Sequence, residues 1–507
     1  MSGGSWWSRT ALTAWGVLLV GALTWPFLLA FASPSAAFAL RDMMVLPHPA
    51  LTHAAVGFGD LPARSAPQDG VLAVVGKLVP ATWFVAVLMV AGAGAAAWVG
   101  ARVGSRPWTR AAAMTVAVWN PFVVERLLQG QWSLALAAWL LPAVALCRGP
   151  GQLLAMWGAS LTPTGGLFAL VTALFTNRRA LPFGLMGCAP WLVPAVSSAS
   201  SGAASAASAA AFAPRAETFT GTLGALLGLG GIWNAGAVPA SRSAGFAVAG
   251  IVLFAVLCLA WRHVPRPLLA LAACGFAVPL VSWLLPGAMA WFVSTVPGGG
   301  LLRDAQKFVA LALPAFVVAA ARLDRADHRL PAVALLLALA QVPDAPRAVA
   351  ALAPVHVAVP DVDHRGRDVF FDGRPHLLTR PDGIPIVDPA TKAMNVVESG
   401  ELIVDGAVVD EPSPRWRAAA DIFGTVPRPE SPSETASGGD RAVQRYYSDP
   451  QVALVVHPDG SVEDTGYPAR ALPRTGIALL VLWLLLPLLA LAPFFIRLRR
   501  AVSHRRA

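Results

Sequence analysis

Charged residues are scarce in this chain. Asp, Glu, Lys and Arg make up 13% of its 507 residues, where soluble proteins carry about 25%, and the mean hydropathy is +0.61. The deficit excludes the three or four soluble domains that the length alone would suggest at about 150 residues each. It requires long segments that never meet water. Cysteine is equally rare: Cys147, Cys188, Cys258 and Cys274 are the full set. All four fall in or at the ends of apolar runs, so a disulfide framework or a thiolate metal site is not expected. The net charge of +10 does not mark a nucleic-acid partner, because the basic groups punctuate apolar runs instead of gathering on one solvated face.

Apolar sequence is abundant, at 56% of residues. Runs of about 17 to 25 residues read as transmembrane helices. Full spans are expected near 11–32, 79–100, 110–127, 132–147, 180–197, 244–261, 266–285, 303–321, 331–352 and 474–496. The stretch 151–176 is interrupted by Thr162-Pro163-Thr164-Gly165-Gly166; a proline and two glycines break a helix, so it reads as a re-entrant hairpin.

Basic residues favour the cytoplasmic ends of spans. With the N-terminus inside, 17 basic residues fall on cytoplasmic segments and ten outside, leaving aside the acidic segment 355–473. Ten spans return the C-terminus and its arginines, Arg497 to Arg506, to the cytoplasm. A multi-pass protein of the plasma (inner) membrane with both termini cytoplasmic is expected. Ala37-Phe38-Ala39 resembles a signal-peptide cleavage site, but the run 11–32 exceeds the ~7–15 apolar residues of a signal core, and an uncleaved first span is the preferred reading.

The chain divides into a membrane module, 1–354, with external loops 33–78 and 198–243; an external segment, 355–473; and a last span with a basic tail, 474–507. Segment 355–473 holds 19 acidic and 11 basic residues. Its runs Glu401 to Val409 and Gln451 to Gly460 alternate β-branched residues around Asp-Gly, a hairpin signal. The fold class expected is an all-α polytopic membrane bundle with a small extracytoplasmic β-rich domain. Ser197 to Ala211 reads as a flexible linker or small-residue helix, and Pro427 to Asp440 as a mobile stretch.

Seven of the nine acidic residues outside 355–473 fall on the external side of this topology. Three have an arginine beside them: Arg41-Asp42, Glu125-Arg126 and Arg303-Asp304. A single such pair is more often a snorkelling anchor or a neutralised helix end. Three from distant parts of the chain, all on one side, point to one polar site. Glu125 and Gln129 are four apart and share a helical face, as do Arg303 and Lys307. Gly298 to Gly300 open the second of these helices and leave backbone N–H groups free to approach an anion, which suits a phosphate. His48 and His53 lie among prolines without a ligand spacing, so no metal site is assigned.

The runs Asn120-Pro121-Phe122-Val123-Val124-Glu125-Arg126-Leu127-Leu128-Gln129-Gly130-Gln131-Trp132 and Leu301-Leu302-Arg303-Asp304-Ala305-Gln306-Lys307-Phe308, with Asp42 after the first span, resemble the actinobacterial branch of the GT-C glycosyltransferase superfamily. The resemblance covers residues 10–350 and is similar to polyprenyl-phosphate-sugar-dependent arabinofuranosyl- and mannosyltransferases. Only three lysines, Lys77, Lys307 and Lys392, fit the GC-rich genomes of that branch. The resemblance implies a GT-C-like fold and an inverting transfer, on the extracytoplasmic side, from a polyprenyl-phosphate sugar to a cell-envelope glycan or glycolipid. It implies Asp42 as general base and Arg303 and Lys307, with Arg126, as holders of the phosphate leaving group. Glu125 and Gln129 would orient hydroxyls or arginines, and Arg41, His53, Asp304 and Gln306 complete the expected substrate or lipid-phosphate site. Envelope-biosynthesis proteins are expected partners besides the lipid bilayer. Many relatives carry two adjacent acids in the first loop; here Arg41 precedes Asp42, so no cofactor is assigned and a divalent metal has one ligand fewer. Two other classes stay open. A transporter or flippase would place its substrate site near the midplane between internal repeats. A non-catalytic scaffold would use segment 355–473 to recruit enzymes or bind glycan.

Overall fold

The computed structural model describes residues 3–197, 205–296, 298–404, 407–425 and 449–506. Among them, eight helices are long and apolar enough to cross a membrane: Arg9–Phe31, Ala81–Val103, Pro107–Leu128, Arg178–Ser197, Arg266–Leu284, Ala305–Arg325, Leu330–Leu352 and Arg474–Ala492. Each matches an expected span. The two remaining expected spans, 132–147 and 244–261, are the shorter apolar helices Trp132–Leu146 and Arg242–Cys258. At 1.5 Å per residue, 15 residues reach only about 22 Å, less than a hydrocarbon core of ~30 Å. The protein is thus a helical membrane bundle with eight candidate spans among the described residues.

Burial separates these helices into a centre and a rim. Pro107–Leu128 and Ala305–Arg325 are 94% buried in their apolar windows, against 28% for Arg266–Leu284 and Arg474–Ala492. The outer helices turn Leu18, Trp291 and Leu488 outward, as helices facing lipid do. The central pair brings the site residues together, because their ends meet beside one another.

The stretch 151–176 folds as two helices, Pro150–Ala159 and Pro163–Thr176, broken at Thr162-Pro163. Their far ends return to one another: Asn177 Nδ2 donates to Gln152 Oε1 at 2.7 Å, and Arg148 donates to the Thr176 carbonyl at 3.2 Å. Glycine is required at the tip, since a Cβ on Gly165 would stand 2.3 Å from the Ala159 carbonyl oxygen.

Segment 355–473 contains a four-stranded sheet in the order Val462–Asp464, Leu454–Val456, Asp368–Phe371, Asn395–Val396. Asp368–Phe371 runs parallel to both neighbours. Two hairpins flank it, Leu377–Thr379 with Pro385–Val387 and Leu402–Val404 with Ala407–Asp410. The sequence-based boundary at 354 divides what the structure joins. Phe38–Leu40 and Met43–Val45 form a hairpin in the first loop, with β-bridges from Ala37 to Val355 and from Arg41 to Ile386. Ala37, Ala39, Met44, Leu46 and Ile386 share one apolar cluster, so loop 33–78 and segment 355–473 pack as one body. Part of the expected linker, 198–204, and the expected mobile stretch Pro427 to Asp440 lie outside the described residues; Ala206–Ala211 is helical.

Candidate functional site

Asp42 stands at the tip of the Phe38–Val45 hairpin. The residue before it, Arg41, has φ +48°, a left-handed conformation that costs a side-chain-bearing residue about 1–2 kcal/mol. The Arg41 guanidinium turns away from Asp42 and donates to the carbonyls of Leu128 at 2.5 Å and Gly236 at 2.6 Å. Arg41 therefore fixes the turn, and its hydrogen-bonding capacity goes to backbone instead of an anion.

The glutamines on either side of Gly130 clasp the aspartate. Gln129 Nε2 donates to Asp42 Oδ1 at 3.2 Å and Gln131 Nε2 to Asp42 Oδ2 at 3.0 Å, while the Asp42 amide donates to the Gln129 carbonyl at 3.1 Å. Gly130, at φ +83°, passes directly beneath the turn. Asp42 is open to solvent yet densely surrounded by protein, as a group on the floor of a crevice is. That burial raises its pKa above the ordinary carboxylate range, against the two amide hydrogen bonds.

Neighbouring charges do not pair with one another. On the helix Pro121–Leu128 adjacent residues point about 100° apart, so Glu125 and Arg126 reach different partners. Arg126, fully buried, grips Asp304 through two hydrogen bonds of 2.5 and 3.0 Å and also donates to Gln131 at 2.8 Å and to Gln306. Gln131 thus joins Arg126 to Asp42. Gln306 Nε2 donates to the Gly230 carbonyl at 3.0 Å.

Glu125 faces the other way, toward loop 198–243. Its Oε2 accepts from the Ile232 amide at 3.1 Å, and Arg242 lies 3.3 Å from Oε1. Glu217 shares that arginine, with a contact of 2.5 Å, and accepts from the Gly231 amide at 2.8 Å. Two carboxylates and one guanidinium, all buried, anchor the strip Gly230 to Asn234. Asn234 then donates to Gln129 Oε1 at 2.7 Å, which completes a chain from the anchor to Asp42. The shared face of Glu125 and Gln129 is realised here, since both reach this strip.

Arg303 and Lys307 do not share a face. Gly299–Leu302 and Ala305–Ala312 are 3₁₀ helices with Asp304 between them in a non-helical conformation; at three residues per turn, positions four apart diverge by about 120°. The backbone at Gly298 has φ +79°, and the segment is not the continuous α-helix whose start would present free amides. Arg303 is held by Asp410 at 2.6 and 2.7 Å and lies over the Phe212 ring at 4.4 Å. Lys307 donates to Thr164, at the tip of the broken helix pair, at 3.1 Å.

His53 belongs to another place. Its ring nitrogens lie 3.1 Å from Asn395 Oδ1 and 3.3 Å from the Ala471 carbonyl. It pins loop 33–78 to segment 355–473, together with Asp60–Arg415 at 3.2 Å and Lys392–Asp69 at 2.7 Å.

Sequence reasoning missed Arg64. This residue lies beside Asp42, Arg303, Lys307 and Asp410, and its guanidinium donates no hydrogen bond to any described residue. It is open to solvent yet densely surrounded by protein; that surrounding, then the like charge of Arg303, lowers its pKa to about 10. One signal was available: alone among the arginines of loop 33–78, it has no acid adjacent in sequence. Gln131, Asn234, Thr164 and Asp410 were also missed, because each acquires its role only through contacts far along the chain.

The site therefore gathers four cations, Arg64, Arg126, Arg303 and Lys307, and three carboxylates, Asp42, Asp304 and Asp410. Arg64 and Lys307 have no anionic hydrogen-bond partner among the described residues, which leaves both placed to meet an anion. Asp42 keeps lone pairs open to the crevice and can accept a proton. The residues do not fit a divalent metal: among the described residues no three His, Cys, Asp or Glu side chains gather to hold one, and Asp304 is committed to Arg126. Comparison with family models, curated proteins and solved structures finds no match to this chain.

Proposed function

We propose that the protein is an inverting membrane glycosyltransferase with a GT-C-like architecture. It uses a polyprenyl-phosphate sugar, arabinofuranose or mannose, to extend a cell-envelope glycan or glycolipid at the extracytoplasmic face of the plasma membrane. In this reading Asp42 takes the proton of an acceptor hydroxyl as that oxygen attacks the anomeric carbon. The bond from the anomeric carbon to the phosphate oxygen breaks, and the oxygen leaves with the electron pair. Arg64 and Lys307 meet the charge that grows on the phosphate, in a site where fixed cations need no reorganisation. The apolar helices around them supply the slot for the prenyl chain.

The observation that carries the reading is the charge cluster: an aspartate clasped by two amides, beside two cations that have no anionic hydrogen-bond partner among the described residues, where two buried helices of an apolar bundle end. Reconstituted protein given a radiolabelled polyprenyl-phosphate arabinofuranose or mannose and an envelope glycan acceptor should form a new glycosidic bond with inverted anomeric configuration. Label crossing a sealed vesicle with no new bond would instead identify a transporter, and neither event would leave the scaffold.

A further inference from the structure

Arg303 is the one cation of the crevice that an acid from segment 355–473 occupies. Asp410 engages it through both carboxylate oxygens, which share the guanidinium Nη1 at 2.6 and 2.7 Å, a charge-assisted contact of the kind a guanidinium also makes with a phosphoryl group. We propose that Asp410 is a built-in stand-in for that phosphoryl group, holding Arg303 until a phosphate ester displaces it, so that ligand binding releases the hairpin that carries Asp410. The inference rests on the phosphate-site reading above and adds its regulation.

Four features support displacement. The pair sits toward the rim, with side chains 11% and 21% exposed, whereas the structural pair Arg126 and Asp304 is 0% and 10% exposed. Asp410 ends the hairpin Leu402–Val404 with Ala407–Asp410, which stands apart from the four-stranded sheet and has an irregular register at its Leu402 end. A two-stranded hairpin alone is only marginally stable, and Val409 is the one buried side chain of this hairpin among its described residues, so little apolar burial opposes its release. Phe212 lies under the Arg303 guanidinium at 4.4 Å and keeps it oriented toward the crevice after Asp410 leaves.

Charge supplies the drive. With Asp410 engaged, Arg64 and Lys307 face an incoming phosphoryl group alone. With Asp410 displaced, Arg303 joins them. The sugar donor is a phosphodiester with one negative charge; the polyprenyl phosphate left after transfer is, like farnesyl phosphate, a monoester that carries about −1.5 to −2 at neutral pH, so three cations match it better than two.

The test uses full-length protein in nanodiscs, with farnesyl phosphate, farnesol and inorganic phosphate as probes. Hydrogen exchange of the amides at 402–404 and 408–410 in the wild type should rise on adding farnesyl phosphate and stay unchanged with farnesol. A rise with inorganic phosphate as well would support recognition of the phosphoryl group alone; a rise with farnesyl phosphate only would support a lipid-borne one. Asp410→Asn should bind farnesyl phosphate about tenfold more tightly, and the gain should vanish in Asp410→Asn/Arg303→Gln. Farnesyl phosphate binding that leaves the hairpin amides unchanged, or Asp410→Asn binding no more tightly than the wild type, overturns the inference while the phosphate site stands. Failure of every protein to bind farnesyl phosphate overturns both.

Discussion

Replacing Gly130 by alanine tests how the turn that carries Asp42 is held. A Cβ at this position would lie 2.1 Å from the Leu40 carbonyl oxygen, 2.4 Å from the Met43 amide nitrogen and 2.9 Å from the Asp42 amide nitrogen, where ordinary contact begins at 3.4 Å. All three neighbours are backbone atoms of the turn, so none can rotate away. The hairpin tip must retreat by roughly 1 Å, a displacement that costs an active site about 100-fold in rate. The retreat would pull Asp42 off the Gln129 carbonyl and both glutamine amides, now at 3.1, 3.2 and 3.0 Å. Gly149 is the control: it too has positive φ, at +64° with ψ −140°, but nothing lies within 4 Å of its Cβ position, so Gly149→Ala carries only the cost of a backbone conformation that favours glycine, about 1–3 kcal/mol. The assay is the rate of sugar transfer at saturating donor, with thermal unfolding in detergent followed in parallel. Gly130→Ala should lose about 100-fold in rate while remaining folded, and Gly149→Ala should keep the wild-type rate. A Gly130→Ala protein with the wild-type rate refutes the claim that the close approach beneath Asp42 sets its position.

Arg126→Met should destabilise the protein by about 3–5 kcal/mol, because it leaves the Asp304 carboxylate unpaired in a buried site; a loss below about 1 kcal/mol in denaturant unfolding would contradict the hub described for Arg126. Arg64→Gln should weaken farnesyl phosphate binding about tenfold, and an unchanged isotherm would remove Arg64 from the site. Glu398, at the junction of loop 33–78 and segment 355–473, has its pKa raised to about 7 by burial and by Asp60, Asp69 and Asp388, with Lys392 opposing. Its folded value exceeds the unfolded value of about 4.3, so its contribution is full below that value and is lost as pH rises through about 7. Thermal stability should therefore fall as pH rises from about 4.3 to about 7, and Glu398→Gln should flatten that part of the profile; a Glu398→Gln profile parallel to the wild type would contradict the assignment.

The bundle was legible in the sequence because long apolar runs have few alternatives to spanning a membrane, and the break at Thr162-Pro163 announced itself through proline chemistry. Span length was less legible. Trp132–Leu146 and Arg242–Cys258 end sooner than their apolar runs suggest, and the second contains a kink at Gly245, φ +103°. The convergence of Asp42, Arg126, Asp304 and Lys307 could be anticipated from acids and bases at one end of several spans. Their pairing could not, since adjacency in sequence says little about partners on a helix and each of the three neighbouring pairs is divided in the fold. The face shared by Arg303 and Lys307 failed because it assumed 3.6 residues per turn where the backbone winds with three. His53 looked like a site residue only because it shares a loop with Asp42; its partner Asn395 is 342 residues away. Arg64 escaped notice because its one local mark, the lack of an adjacent acid, says nothing of its position; its neighbours come from other loops and helices.

Single-turnover transfer from a bound polyprenyl-phosphate sugar, compared between wild type and Asp42→Asn, tests the account most directly. Loss of the general base should slow the chemical step by about 10²–10⁴-fold, with farnesyl phosphate affinity unchanged within about twofold. A transfer rate equal to the wild type, with the acceptor still glycosylated and its anomeric configuration still inverted, would contradict the role given to Asp42.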